Sequence, residues 1–190
     1  MSAAQEQAAP PAQDAGQDKD LQARLARRLR QVDAGERAVS AWMAVQIGER
    51  FFLIPLSHAF EILPWQRPAP VPYTKPWFLG VINWRGSLSG VVDVAAYLDA
   101  GAALRSEQAL AQCMLLTLNP VLEVNTALLI DHMAGLKSLT DFTAAYAPAP
   151  GSTAAAPFLG NIYADAEGRH WQELNLQRLA QDSRFLAIGL

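Results

Sequence analysis

Apolar and polar side chains alternate from Val39 onward. In VSAWMAVQI, Val39, Ala41, Met43, Val45 and Ile47 share one face, with Ser40 and Gln46 on the other. A period of two predicts a half-buried strand. Gly48-Glu49-Arg50 supplies a turn, and FFLIPL resumes the strand with Phe52, Ile54 and Leu56 in phase. Pro55 has no N–H for a ladder, which predicts an edge or a bulge there. Beyond His58 the phase is open, and strict alternation buries Phe60 and Ile62. Upstream the period differs. Leu21, Leu25, Leu29 and Val32 recur at helical spacing, with Arg24, Arg27, Arg28 and Arg30 over the remaining surface. Asp18 or Asp20 can cap this helix and Gly35 can end it. The plain reading is a docking helix with a solvated basic face; the sharper one is a membrane-surface or partner-binding helix. The stretch before it has no apolar periodicity and is expected to be disordered. The chain thus divides into a tail (1–19), a helix and linker (20–38) and one folded body (39–190).

Residues 64–78, PWQRPAPVPYTKPWF, hold five of the twelve prolines, a density that no helix or central strand tolerates. They read as an extended surface connection. Trp65, Trp77 and Trp84 sit in or beside it; a single such ring more often tucks onto the core than meets a partner, but three so close together point to at least one binding element. GVINWRGSLSGVVDV predicts a hairpin turning near Arg85-Gly86, and Asp93 can cap the short helix VAAYL. Residues 99–110 are expected to be a loop or a poorly formed helix. Strands return in QCMLLTL, TALLI and HMAGLKSL, with turn residues Asn119-Pro120 and Asn125 between the first two. Residues 146–157 form an Ala/Pro loop. FLGNIYADAEGRHWQEL predicts a second hairpin near Gly168, and Asn175 can cap LQRLAQ. The two hairpins echo each other: Phe78-Leu79-Gly80, Gly86 and Asp93 in one, Phe158-Leu159-Gly160, Gly168 and Asn175 in the other. This predicts a duplicated unit of antiparallel strands closed by a helical turn. Units of about 70 residues are small for independent cores, so the two are expected to share one.

Composition narrows the function. The 190 residues are 51% hydrophobic and 17% charged, with 15 Lys+Arg against 18 Asp+Glu and a net charge of −3. Such a balance argues against disorder of the whole chain and against a general nucleic-acid binder. One cysteine, Cys113, makes no internal disulfide, and its place between Ala111 and Leu115 reads as a buried thiol within a strand. No apolar run reaches the roughly 18 residues of a membrane span, and the first twenty residues lack a signal-peptide core. A cytoplasmic protein is expected. His58, His132 and His170 have no local ligand partners, so neither a metal nor another cofactor is expected. GSLSG has Leu88 where a nucleophile elbow needs serine, and no phosphate-cradling glycine motif occurs. Carboxylates are scattered, and only folding can pair them. The absence of motifs favours a binding module over an enzyme.

Leu79-Gly80-Val81-Ile82-Asn83-Trp84-Arg85-Gly86, followed by Val91-Val92-Asp93-Val94, resembles the hallmark turn and strand of the CheW-like chemotaxis coupling proteins. Phe52, Ile54, Leu56, Ala59, Glu61 and Ile62 resemble the family's second strand. Leu129-Ile130-Asp131, Leu136, Leu139, Pro148-Ala149-Pro150 and Phe158-Leu159-Gly160 continue the likeness in order, over roughly 41–180. Trp77 and the basic helix are most similar to the PilI-type branch, which serves type IV pilus twitching motility. The resemblance implies a mainly β fold of two packed five-stranded SH3-like barrels over a common core. It implies a non-enzymatic adaptor between the cytoplasmic tip of a methyl-accepting chemoreceptor and the regulatory domain of a CheA-type histidine kinase. Such an adaptor inserts in no membrane itself and is recruited to membrane-associated receptor arrays.

Residue by residue, the resemblance implies that Arg85 and Glu61 form a salt bridge bordering the binding surface. The plain alternative is a surface pair worth roughly 0–1 kcal/mol. Trp84, Asn83, Phe60 and Trp77 complete the expected partner-binding set, while Gly80, Gly86 and Asp93 are expected to be structural. Asn83 is expected to satisfy backbone groups within the hairpin. Trp84 departs from the family's usual small aliphatic residue, and His132 stands where the family often has glycine. If the family step holds, Ala59 and Ile62 are buried and Phe60 is an exposed contact. Two rival functions remain: a CheW-like scaffold that binds kinase alone, and a small-molecule-binding barrel with a closed polar pocket.

Overall fold

The computed structural model describes residues 41–99 and 105–190. The tail and helix expected over 1–38 lie outside the described residues. Among the described residues eleven strands form two sheets. The chain enters at β1 (Trp42–Ile47), turns at Gly48-Glu49 and returns as β2 (Arg50–Pro55). A single 3-10 turn, Leu56–His58, carries it into the other sheet as β3 (Ala59–Pro64). The hairpin β4 (Phe78–Trp84) and β5 (Ser87–Val92) follows, then helix α1 (Val94–Leu98). A short α2 (Glu107–Leu110) precedes the second half, which opens with β6 (Met114–Leu118) and β7 (Thr126–Ile130). Asp131 alone then separates β7 from β8 (His132–Lys137), which lies in the first sheet. Strand β9 (Ala144–Tyr146), the hairpin β10 (Leu159–Ala164) and β11 (His170–Leu174), and helices α3 (Leu176–Ala180) and α4 (Ser183–Leu186) complete the body.

The strand orders are β8-β1-β2-β11-β10-β9 and β3-β6-β7-β5-β4. Each barrel is therefore built from both halves. The β1–β2 hairpin of the first half joins β8–β11 of the second, and β6–β7 of the second joins β3–β5 of the first. The halves meet at two parallel pairs, β2 with β11 and β5 with β7, and at two antiparallel pairs, β1 with β8 and β3 with β6. Three-residue β9 gives the first barrel a sixth strand beyond the expected five.

The duplicated unit is visible in its caps. Asp93 accepts from the Ala95 and Ala96 N–H groups, Asn175 from that of Arg178, and both sit near φ −84° and ψ 101°. Their own N–H groups donate to Trp77 O and Phe158 O, each at 2.9 Å. Trp77 is thus the counterpart of Phe158, one residue out of step with the matched Phe-Leu-Gly letters.

Three apolar clusters explain why strands are buried on both faces. Met43, Val45, Ile54, Leu128 and Ile130 meet α1 and α3 in a common core between the barrels. Leu63, Ile82, Leu115 and Leu129 fill the second barrel; Trp42, Leu53, Tyr163 and Trp171 fill the first. Alternate residues of β7 face different cores, so all five are buried. The half-buried reading of β1 is corrected for the same reason, since Trp42 and Ala44 on its second face are buried too. Pro55 marks neither an edge nor a bulge: β2 is a central strand and Pro55 is its last residue, beyond the span paired with β11. Leu56, expected in phase with Ile54, is 38% exposed in the 3-10 turn. Cys113 is buried as expected, but it precedes β6 instead of lying within a strand. His132 has no left-handed φ, so its place needs no glycine.

Candidate functional site

The β4–β5 hairpin closes on a two-residue turn in which Arg85 and Gly86 have φ of 51° and 81°. Two left-handed residues follow the twist of the strands, but a side chain there costs about 1 kcal/mol. Asn83 offsets part of that cost, its Oδ1 accepting from Gly86 N at 3.1 Å. The turn projects Arg85 outward.

Opposite lies β3, whose register with β6 shifts between Ala59 and Ile62. The shift is pinned by Thr117. Its hydroxyl accepts from Glu61 N at 2.9 Å and donates to Glu61 O at 3.2 Å. Ala59 and Ile62 turn toward the common core, and Phe60 is left 53% exposed. The family step therefore wins over strict alternation.

Glu61 meets the hairpin with both oxygens. Oε1 pairs with Arg85 NH2 at 2.8 Å, and Oε2 accepts from Trp84 Nε1 at 2.9 Å. The Arg85 guanidinium lies 5.6 Å from the centre of the Trp84 ring. Trp84 packs on the second barrel's cluster, so one ring joins the core to the surface dyad. With Arg85 two-thirds exposed the pair adds little stability. Its effect is to hold a cation in one place. Phe60, Trp84, Arg85, Thr117, Pro120 and Asn125 line a shallow groove of about 160 Å3. Val121, next to Pro120, is 81% exposed.

Five of the expected residues, Phe60, Glu61, Asn83, Trp84 and Arg85, thus come together. Trp77 does not. It is 8% exposed, stacked on Phe185 at 6.0 Å and set edge-on to Tyr97 at 5.1 Å. The expectation of a partner contact there is corrected: Trp77 is a core residue. Gly80 has φ 131°, and a Cβ there would collide with the Ala69 carbonyl, which bridges to Val81. Asp93 caps α1 as expected.

Asp93 also belongs to a cluster that sequence reasoning missed. Arg105 Nε donates to Asp93 Oδ2 at 3.0 Å, and the same guanidinium makes a two-pronged pair with Asp131. Asp131 Oδ2 further accepts from Gly48 N at 2.7 Å. Burial pushes the Asp131 carboxyl up, but the Arg105 and Gly48 hydrogen bonds outweigh it and hold the group below the ordinary carboxylate range. Burial pushes the neighbouring Cys113 thiol up. The cluster sits where the chain passes from β7 to β8, tying that passage to the β1–β2 turn and to α1. One signal was present: Arg105 is the only Lys or Arg between Arg85 and Lys137, in a stretch that holds five acids.

Among the described residues no cluster of His, Cys, Asp and Glu could hold a metal ion. Both barrel interiors are filled by side chains, and the groove beside Arg85 lies open on the surface. No described helix is long and apolar enough to cross a membrane.

Comparison with known proteins bears on the fold and the family. Protein PilI of Pseudomonas aeruginosa is 25% identical over 174 residues, which cover 90% of this chain and 93% of that protein. Chemotaxis protein CheW of Rhizobium meliloti is 34% identical over 61 residues, 32% of this chain and 39% of that protein. The crystal structure of the scaffolding protein TtCheW from Thermoanaerobacter tengcongensis shares the fold, with a TM-score of 0.57 at 14% identity over 71% of this chain and 88% of that one. The CheW-like domain matches residues 41–184. With that span matched, the chain belongs to the CheW-like family, non-enzymatic scaffold proteins of chemotaxis-like signalling.

Proposed function

We propose that this scaffold couples the cytoplasmic tip of a methyl-accepting chemoreceptor to the regulatory domain of a CheA-type histidine kinase. The pathway we assign is the one that controls type IV pilus twitching motility. The supporting observation is the Glu61–Trp84–Arg85 cluster, a fixed cation beside exposed Phe60 and an open groove. An apolar groove with a few register-fixing polar groups suits an amphipathic helix. Such signalling interfaces can be small, on the order of 1,200 Å2 or below. The likeness to PilI over nearly the whole chain supports the pilus assignment. The protein is cytoplasmic in this reading, held at receptor arrays by its partners.

The test is titration of the full chain with the regulatory domain of the CheA-type kinase from the same source. A parallel titration uses a helical receptor-tip peptide. Arg85→Glu is expected to weaken at least one of the two by about tenfold or more. Wild-type binding to the kinase with none to the receptor tip would leave a kinase-only scaffold. Binding that ignores the charge reversal in both arms would move the site away from Arg85.

A further inference from the structure

Arg105 and Arg85 each meet a carboxylate, and they meet it differently. Arg105 closes its fork on Asp131: NH1 pairs with Oδ1, and NH2 donates to Oδ2 at 2.8 Å. A second acid, Asp93, takes its Nε. Arg85 meets Glu61 Oε1 through NH2 at 2.8 Å. Oε2, the oxygen a two-pronged pair would use, is turned to Trp84 Nε1 at 2.9 Å instead. Among the described residues Arg85 has no second acid at ion-pair distance. A guanidinium carries five N–H donors in a rigid fork. At Arg85 most of that fork stays open, beside a groove in which no other described lining residue is charged.

Trp84 sets this geometry. Its ring packs on the second barrel's cluster, so its N–H has a fixed direction. Glu61 is held at its backbone by the two Thr117 hydrogen bonds, which leaves its side chain rotation alone to find partners. The indole N–H takes Oε2 and so fixes the plane of the carboxylate. Arg85, on a left-handed φ of 51° and 5.6 Å from the ring centre, then meets the other oxygen. An aliphatic or phenyl side chain at this position offers no N–H. The released carboxylate would swing onto the fork and close it, since the two-pronged pair is the stronger arrangement.

We propose that Trp84 is a positioning residue: it draws Glu61 aside, so that the Arg85 fork stays open for an acceptor oxygen of the partner docked on this surface. The inference rests on the partner surface proposed above and adds the residue that keeps its cation available. An open fork offers directed donors to a partner, whereas a closed one must first break its own pair.

Arginine side-chain NMR of the isotope-labelled full chain tests the geometry with no partner present. Arg105 is the internal reference, since a closed fork slows rotation about Nε–Cζ and separates the two Nη signals. Arg85 is expected to give one averaged Nη signal in the wild type and separate signals in Trp84→Phe. Trp84→Leu also lacks the N–H and serves where the phenyl variant folds poorly. Adding Glu61→Gln to either variant should restore the averaged signal. Separate Arg85 signals in the wild type, or an averaged signal in both Trp84 variants, overturn the proposal. In the titrations described above, Trp84→Phe should weaken the Arg85-dependent partner by roughly fivefold, the strength of one exposed ion pair. In an Arg85→Ala background it should cause no further loss. Additive losses would mean that Trp84 acts by its own contact, which also overturns the proposal. If the wild type binds neither partner, the function proposed above fails, and the guanidinium signals alone decide whether Trp84 holds the fork open.

Discussion

Gly80 and Gly86 lie on the same hairpin and require glycine for different reasons. Gly80 combines a left-handed φ with backbone pressed against it by the Ala69–Val81 bridge, whereas Gly86 has open space where a Cβ would go. Gly86→Ala meets only the conformational penalty, about 1 kcal/mol. Gly80→Ala must also push the Ala69 segment away and is expected to cost more than about 2 kcal/mol. Urea midpoints of the two variants check this; equal losses would mean that the bridge yields freely. At this scale legibility depended on how local the cause was. Asn83, Arg85 and Gly86 were readable because a tight turn is set by its own residues. Trp77 was misread because its burial depends on Phe185 and Tyr97, distant in sequence and brought to it only by packing.

Helix starts and hairpins were equally legible, since capping and alternation act over a few residues. Asp93 and Asn175 occupy matched caps, yet their consequences differ. Asn175→Ala removes a cap worth about 1 kcal/mol. Asp93→Ala removes a cap and also strips a carboxylate from Arg105, whose side chain is only 13% exposed. A loss of roughly 2–4 kcal/mol is expected there. Denaturant unfolding of the pair decides the matter, and losses of similar size would show that Arg105 is satisfied by Asp131 alone. What the sequence hid was the exchange of elements. Nothing in FFLIPL says that β2 will take β11 as a parallel neighbour, because that pairing joins residues more than a hundred positions apart. The same ignorance made Pro55 look like an edge marker.

Across the whole molecule, acid stability should report on the crossing at Asp131. Its carboxyl titrates below its ordinary value of 3.8 in the fold. The unfolded chain therefore takes up that proton at a higher pH than the folded one. The stabilisation is present above about pH 4 and is lost as the pH falls through the lower folded value. Asp131→Asn is expected to be less stable at neutral pH and to lose stability less steeply on acidification. Asp182, also held low against burial by the Tyr97 hydroxyl, keeps the slope from vanishing. Urea midpoints measured down a pH series test this, and an unchanged slope would place the acid sensitivity elsewhere. The duplication was visible in the sequence and its shared core was expected. The strand exchange that makes one body of two units was not.

That exchange bears on ancestry. The first half holds a hairpin of one barrel and three strands of the other, the second half a hairpin and four strands, and neither half completes a barrel. Two such chains could close both barrels by trading strands about a twofold axis. A strand-swapped homodimer is thus a viable precursor, and joining its two copies end to end frees each to diverge. The two helix caps still mark the copies, with Asp93 in one and Asn175 in the other.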